Sequence, residues 1–255
     1  MRENKLKKLW EEDKRAINAW LTIPNAWTAE VMAQIGFDAI TIDMQHGLAD
    51  YQVALSMLQA ISTTDAVPLV RVPWNEPVSI MRLLDAGAYG LVCPMVNNRE
   101  EAEAFVGACR YPPLGYRSYG PLRANLYAGE DYFEKANETV ITLAMIETAQ
   151  ALGNIEEIIS TPGLDGVYVG TVDLSISMGL EGLGDLNDPK LENALKTIMA
   201  QVSKYKRVAG IHASTPENAE KLSALGFRLI TSVNDTKLLR NAAENILSQT
   251  RKRME

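Results

Sequence analysis

Four polar residues stand where short apolar runs end: His46 just past AITID, Arg71 after VPLV, Glu147 after ITLAMI and Asp173 after GVYVGTV. A histidine moves protons near neutral pH. A guanidinium grips a carboxylate or oxyanion in fork geometry. Two carboxylates with room for water suit a hard divalent cation such as Mg²⁺ or Mn²⁺, whereas zinc favours a His/Cys cluster that this chain lacks. Brought to one place, the four would supply a base, a fixed cation and a metal site.

Each residue also has a plainer reading. Glu147 and Asp173 could cap the helices that follow them, where acidic groups are stabilising. His46 could be a partly buried structural histidine beside an acidic cap. Asp43, three residues earlier, could instead hydrogen-bond the imidazole, fix its tautomer and raise its basicity as a general base requires. Arg71 ends an otherwise apolar run and needs an anionic partner, which Asp43 or Asp85 could provide in place of a substrate. The other histidine, His212, ends the run before Ala-Ser and has no nearby carboxylate in sequence. It is expected to line a pocket, together with Trp20, rather than act as the base.

No lysine ends an apolar run, so the Schiff-base route to a stabilised carbanion has no candidate, and a metal must serve as electron sink. A phosphate ligand finds little support either. The stretches GIHASTPE and ITSVNDTK hold one glycine between them, unlike the Gly-rich loops that bind phosphate in barrels.

The elements that must position these groups follow from the alternation of patterns. Short Val/Ile/Leu-rich runs near 17–23, 38–43, 67–72, 90–96, 140–146, 165–172, 208–213 and 228–233 read as strands. Helical patterns separate them, with Pro77 and Pro216 at first turns and Gly36, Gly87 and Gly226 at stops. Eight such units at this length predict a (β/α)8 TIM barrel forming one domain over 1–255. An extra helix is expected over 3–14 and another closes the chain. In that fold all four residues share the rim where strands end. The irregular stretch from Tyr111 to about Tyr132 is long enough to be a lid. Arg117 and Arg123 within it could meet an anionic group of a substrate.

At 255 residues, 47% hydrophobic and a net charge of −7, the chain can bury one large core and gives no electrostatic case for nucleic acid or an anionic membrane. Two cysteines in no paired spacing fit a reduced compartment. The charged N-terminal stretch lacks a signal-peptide core, and no run is long and apolar enough to span a bilayer. A cytoplasmic location is expected.

The ordered set of motifs resembles the HpcH/HpaI aldolase family, the metal-dependent class II pyruvate aldolases. The landmarks are Gly36-Phe-Asp, Asp43-Met-Gln-His46, Arg71-Val-Pro-Trp74-Asn, Leu84-Asp85-Ala-Gly, Pro94-Met-Val, Arg110-Tyr-Pro-Pro-Leu-Gly-Tyr-Arg117, Ile146-Glu147-Thr and Gly170-Thr-Val-Asp173-Leu-Ser. The resemblance runs from Trp20 to the last helix. It implies reversible cleavage of a 4-hydroxy-2-oxo acid to pyruvate and an aldehyde, through the enolate of metal-chelated pyruvate. It also implies Mg²⁺, Mn²⁺ or Co²⁺ on Glu147 and Asp173, enolate stabilisation by Arg71, and proton transfer by an Asp43–His46 dyad. Substrate carboxylate binding is implied at the Thr171–Val172 turn. A homo-oligomer is implied, often a hexamer or trimer of dimers with exchanged C-terminal helices. Gln45 replaces the family's usual Glu, Met145 replaces a Gln found in some members, and Thr171-Val172 replaces Pro-Ala. Other readings of the same barrel are a CoA-thioester lyase, an oxaloacetate decarboxylase, or a non-catalytic oxo-acid-binding barrel.

Overall fold

Runs such as AITID and ITLAMI are buried along their whole length. Continuous apolar strands of this kind belong to a parallel sheet covered by helices on one face and packed side chains on the other. The computed structural model describes residues 1–255 and closes eight parallel strands into a barrel in sequence order. They are β1 (Ala16–Leu21), β2 (Ala39–Asp43), β3 (Val67–Arg71), β4 (Gly90–Cys93), β5 (Ile141–Ile146), β6 (Gly166–Val169), β7 (Val208–His212) and β8 (Leu229–Asn234). The expected strands therefore all form, as does the N-terminal helix, Lys5–Glu11.

Local chemistry sets where the helices start and stop. Asn25, Asp50, Glu76, Asn98, Thr148, Asp188, Thr215 and Asn234 each accept hydrogen bonds from first-turn amides. Pro77 and Pro216 occupy first-turn positions. Gly36, Gly87 and Gly226, at φ of 105°, 99° and 105°, adopt the left-handed conformation that ends a helix at little cost.

A large apolar cluster fills the space between strands and helices, including Ile40, Val70, Leu84, Phe105, Ile146 and Ile211. A second lies inside the barrel and across its N-terminal end, where Leu6 and Trp10 of the first helix close the floor with Tyr89, Tyr111 and Tyr132. Trp10 Nε1 donates to the carbonyl of Arg228, just before β8, and Asn4 Nδ2 donates to the carbonyls of Tyr89 and Thr139.

The stretch 111–132 belongs to this floor and is not a lid. It connects the helix Arg99–Cys109 to the helix Tyr132–Thr139 ahead of β5, and carries a short helix of its own, Leu122–Ala128. Arg117 is buried, pairing with Asp85 at 2.7 Å and donating to the Tyr132 hydroxyl. Arg123 donates to the carbonyls of Ala86 and Leu58. Neither arginine reaches the strand-end rim. Asp85, the last residue of the helix Pro77–Asp85, lies at the floor as well and cannot serve Arg71.

The last helix, Asp235–Met254, is anchored only at its start. Asp235 is buried and accepts from the amides of Thr22 and Ile23. Every later residue of the helix is exposed.

Candidate active site

Asp43 and Arg71 are the last residues of β2 and β3 and are register partners across the sheet. Arg71 Nε and Nη2 donate to the two Asp43 oxygens at 2.9 and 2.5 Å. Asp43 also accepts from Trp20 Nε1 and from the amides of Gln45 and His46. Burial opposes its charge, but the Arg71 fork, the Trp20 indole and the His46 amide outweigh that cost and hold the carboxyl below its usual range. The plainer reading of Arg71 is thus realised in part: it has a protein partner. Only two of its five N–H groups go to Asp43, and Arg71 still lines the cavity at the rim.

The expected imidazole–carboxylate bond is absent. Asp43 meets His46 at its backbone amide, at 3.2 Å, because a spacing of three residues across a strand end suits a turn and points the ring outward. The His46 side chain is exposed and faces the same cavity as Arg71. Trp20 is a second correction. It is buried behind the site, bonded to Asp43 and packed against His212 and Tyr168, and it does not line the cavity. Gln45 contributes its amide to Asp43, while its side-chain carbonyl is buried without a hydrogen-bond partner.

Glu147 follows β5 directly and is buried. Its Oε1 accepts the amide of Met95 at 2.7 Å. Met95 holds a left-handed φ of 56°, uncommon for a residue with a side chain. Gly170 lies against the other oxygen: a Cβ there would sit 2.6 Å from Glu147 Oε2 and 2.8 Å from Glu147 Cβ. Only glycine leaves the carboxylate its place. Burial, then the charge of Asp173, push the Glu147 carboxyl above its usual range against the pull of the Met95 amide.

Asp173 lies one step further along than a strand end. β6 stops at Val169, and Thr171–Ser177 is a short helix with Asp173 in its first turn and no side-chain cap. Thr171, Val172 and Asp173 line the cavity with His46, Arg71, Met145 and His212. The cavity measures about 460 Å³. A groove of about 620 Å³ lies at the barrel floor, but two of its three acids are already paired, Asp165 with Lys7 and Arg110, and Asp13 with Arg228.

The two carboxylates suit a divalent cation on chemical grounds. Both are hard donors, Glu147 Oε2 has no protein donor, and burial and the Asp173 charge together raise the proton affinity of Glu147 despite the opposing Met95 amide and Arg71 charge. No group of three or more His, Cys, Asp or Glu side chains is placed to hold a metal, so water and a chelating ligand would complete the coordination sphere.

Met95 and Gly170 are the two contributors that the residue pattern did not reveal. Gly170 had a visible signal, a glycine between an apolar run and a helix. The left-handed turn at Met95 had none.

With this geometry in view, the match to known proteins is specific. A model of the HpcH/HpaI aldolase/citrate lyase family covers residues 17–242, which takes in all of the barrel strands but the first residue of β1. The chain belongs to that family. It is 40% identical over 248 residues to a hydroxypyruvate/pyruvate aldolase of Rhizorhabdus wittichii, covering 97% of this chain and 99% of the relative. It is 35% identical over 250 residues to a 4-hydroxy-2-oxo-heptane-1,7-dioate aldolase of Escherichia coli, covering 97% and 95%. Among solved structures it superposes on an HpcH/HpaI aldolase/citrate lyase family protein from Burkholderia cenocepacia with a TM-score of 0.90 and 33% identity, over 97% of this chain and 99% of the other. The family barrel and this one agree in fold as well as in sequence.

Proposed function

We propose that the chain is a divalent-metal-dependent pyruvate aldolase. It cleaves a 4-hydroxy-2-oxo acid reversibly to pyruvate and an aldehyde. The observation that carries this reading is the meeting of Asp173, Arg71 and His46 around a single cavity, with Glu147, one carboxylate oxygen free of protein donors, packed directly against Gly170 of the cavity wall. The activities named for the R. wittichii and E. coli relatives support it.

Glu147 and Asp173 would hold Mg²⁺, Mn²⁺ or Co²⁺, which when bound supplies Lewis-acid polarisation of the substrate's keto oxygen. The free N–H groups of Arg71 face the oxygen on which negative charge collects, where prearranged donors contribute most. The uncapped first turn of Thr171–Ser177 offers the amides of Thr171 and Val172 to the substrate carboxylate. His46, whose ring has no protein partner, removes the proton from the 4-hydroxyl, directly or through one water, and returns a proton to the pyruvate methylene carbon. Asp43 is a positioning residue: it aims Arg71 and fixes the turn that carries His46.

The last helix supports a homo-oligomer. Leu238, Leu239, Ile246 and Leu247 are all exposed, and helical spacing puts Leu239 and Ile246 on one stripe with Ala242 and Ala243, flanked by Leu238 and Leu247. Such a stripe is covered most simply by a second copy of the chain.

The direct test is pyruvate release from a 4-hydroxy-2-oxo acid with and without added Mn²⁺. Cleavage is expected to require metal and to vanish in Glu147→Gln and Asp173→Asn. An undiminished rate in exhaustively chelated protein would sink the assignment.

A further inference from the structure

A polar chain runs through the interior of the barrel beneath the cavity. Thr41 Oγ1 donates to Asn18 Oδ1 at 3.0 Å, and Asn18 Nδ2 donates to Thr231 Oγ1 at 2.8 Å. Thr231 Oγ1 lies 2.6 Å from the Tyr168 hydroxyl, which lies 2.9 Å from His212 Nδ1. The four residues below His212 come from β1, β2, β6 and β8 and are fully or almost fully buried. Polar groups in such a place are costly unless every one is satisfied, and this chain ends on a single residue at the cavity wall.

Its direction follows from acid–base strength. A phenol is a better donor than an alcohol, and an imidazole nitrogen is the best acceptor present. Tyr168 therefore donates to His212 Nδ1. Thr231 then donates to Tyr168, and Thr231 accepts from Asn18, as its amide is oriented. With Nδ1 occupied as acceptor, the ring proton of His212 is on Nε2. The Trp20 ring, itself held by Asp43, packs edge-on at 4.6 Å and fixes the plane of the imidazole. Burial of the ring, then the Arg71 charge, push its pKa down to about 4, although its outer edge stays open to the cavity. His212 is thus a neutral group with a free N–H.

That N–H has neighbours of its own kind. His212 and Ser214 line the cavity with Asn218 of the following helix and Asn187. The residues assigned to the oxo-acid end come from β2, β3, β5 and β6, whereas His212, Ser214 and Asn218 come from β7 and the chain after it. The wall left for the aldehyde half is therefore polar on this side, with Asp185, beside Asn187, as its carboxylate.

We propose that His212 is a specificity residue whose Nε2–H binds a hydroxyl group on the aldehyde half of the substrate, so that the protein favours hydroxyaldehydes over alkyl aldehydes. The proposal rests on the aldolase reading and deepens it. Tyr168 acts through His212, as a positioning residue.

The test compares glycolaldehyde with propanal, which replaces the hydroxyl by a methyl group, as acceptors for pyruvate with Mn²⁺ present. The ratio of their kcat/KM values is expected to fall about tenfold in His212→Phe, the value of one neutral hydrogen bond, and to fall in the same direction in Tyr168→Phe. An unchanged ratio in His212→Phe overturns the proposal. So does a loss confined to 3-hydroxypyruvate as the nucleophile, which would move the contact to the oxo-acid half. Histidine ¹⁵N chemical shifts at neutral pH give an independent reading, with Nε2–H expected in the wild type and an altered tautomer mixture in Tyr168→Phe. A protonated ring or an Nδ1–H tautomer in the wild type overturns the donor assignment. Failure of the wild type to turn over any aldehyde would overturn the aldolase reading itself, while turnover without hydroxyl preference would overturn only the role of His212.

Discussion

Arg71 and Asp43 close a two-bond fork between neighbouring strands at the rim of the barrel. Both are buried, and water reaches the pair only along the edge of Arg71 that lines the cavity. Removing one partner leaves the other uncompensated, which costs more than the pair contributes. Asp43→Asn is expected to lower unfolding free energy by about 3 kcal/mol, at the lower end for a broken buried pair because Asn keeps an acceptor. Adding Arg71→Met should recover part of that loss, since the stranded charge is then gone. Urea unfolding of the single and double variants measures both. A single variant as stable as wild type would mean that solvent, not Asp43, neutralises Arg71.

Gly170 gives a sharper probe of the carboxylate pair. A methyl group at this position meets Glu147 Oε2 at 2.6 Å, a distance real Cβ contacts do not show, so the carboxylate must move. Gly170→Ala should fold, because the residue's φ of −90° is open to alanine. Its Mn²⁺ affinity should drop by about tenfold or more, the scale of losses when a ligand's support is disturbed. Electron paramagnetic resonance of free Mn²⁺ reads this without any turnover. Equal affinity in the two proteins would show that Glu147 Oε2 is not a ligand.

Acid should weaken metal binding sooner than an ordinary glutamate would predict. The Glu147 carboxyl is raised above 4.5 by burial and by Asp173, and the cation takes only its ionised form. Affinity should therefore rise with pH up to that raised value and then level off, with protons released on binding below it. Without metal, the sign for folding is opposite at the two acids. Glu147 favours the folded state at low pH and loses that contribution as pH climbs through its raised value. Asp43 stabilises above the unfolded value of 3.8, and its contribution is lost as pH falls through its depressed one. Calorimetric Mn²⁺ titrations in two buffers of different ionisation enthalpy measure the released protons. Glu147→Gln should release none from this position.

The barrel and most of the rim were legible because each strand is a short, largely apolar run, and those that carry Asp43, Arg71 and Glu147 are stopped by a polar residue, a pattern that survives in one dimension. The errors share a physical cause, which is direction. In an all-parallel barrel every strand-to-helix turn is at one end and every helix-to-strand connection at the other. The stretch 111–132 follows a helix and Asp85 ends one, so both belong to the floor, whatever their length or charge suggests. Asp43 and His46 show a finer limit. Their spacing announces contact, but whether ring or amide makes it depends on the backbone turn. Trp20 likewise reads as a pocket residue because it is near a strand end, while its indole turns toward Asp43. Asp173 reads as a strand terminus because GVYVGTV is apolar throughout, and Gly170 is where strand gives way to helix.

The last helix carries the prediction about assembly. From Thr236 to Glu255 no residue is buried. Side chains on an unpacked helix of this composition gain little from intrinsic propensity, since helical stability in proteins comes chiefly from burying an apolar face. Leu239 is 64% and Ile246 is 66% exposed, and both sit on the apolar stripe. The helix Ala26–Gln34 and its C-cap Ile35 expose a matching row, Trp27, Val31 and Ile35, at spacings of four. If a second copy covers the last helix, a charge on the stripe is buried without a partner and the contact fails. Ile246→Asp should therefore shift the mass measured by light scattering from oligomer toward monomer. Lys252→Gln, on the exposed terminal turn, makes the same one-unit change of charge and should leave the mass as it was. Should Ile246→Asp keep the full oligomer mass, the last helix lies outside the interface and the copies meet elsewhere.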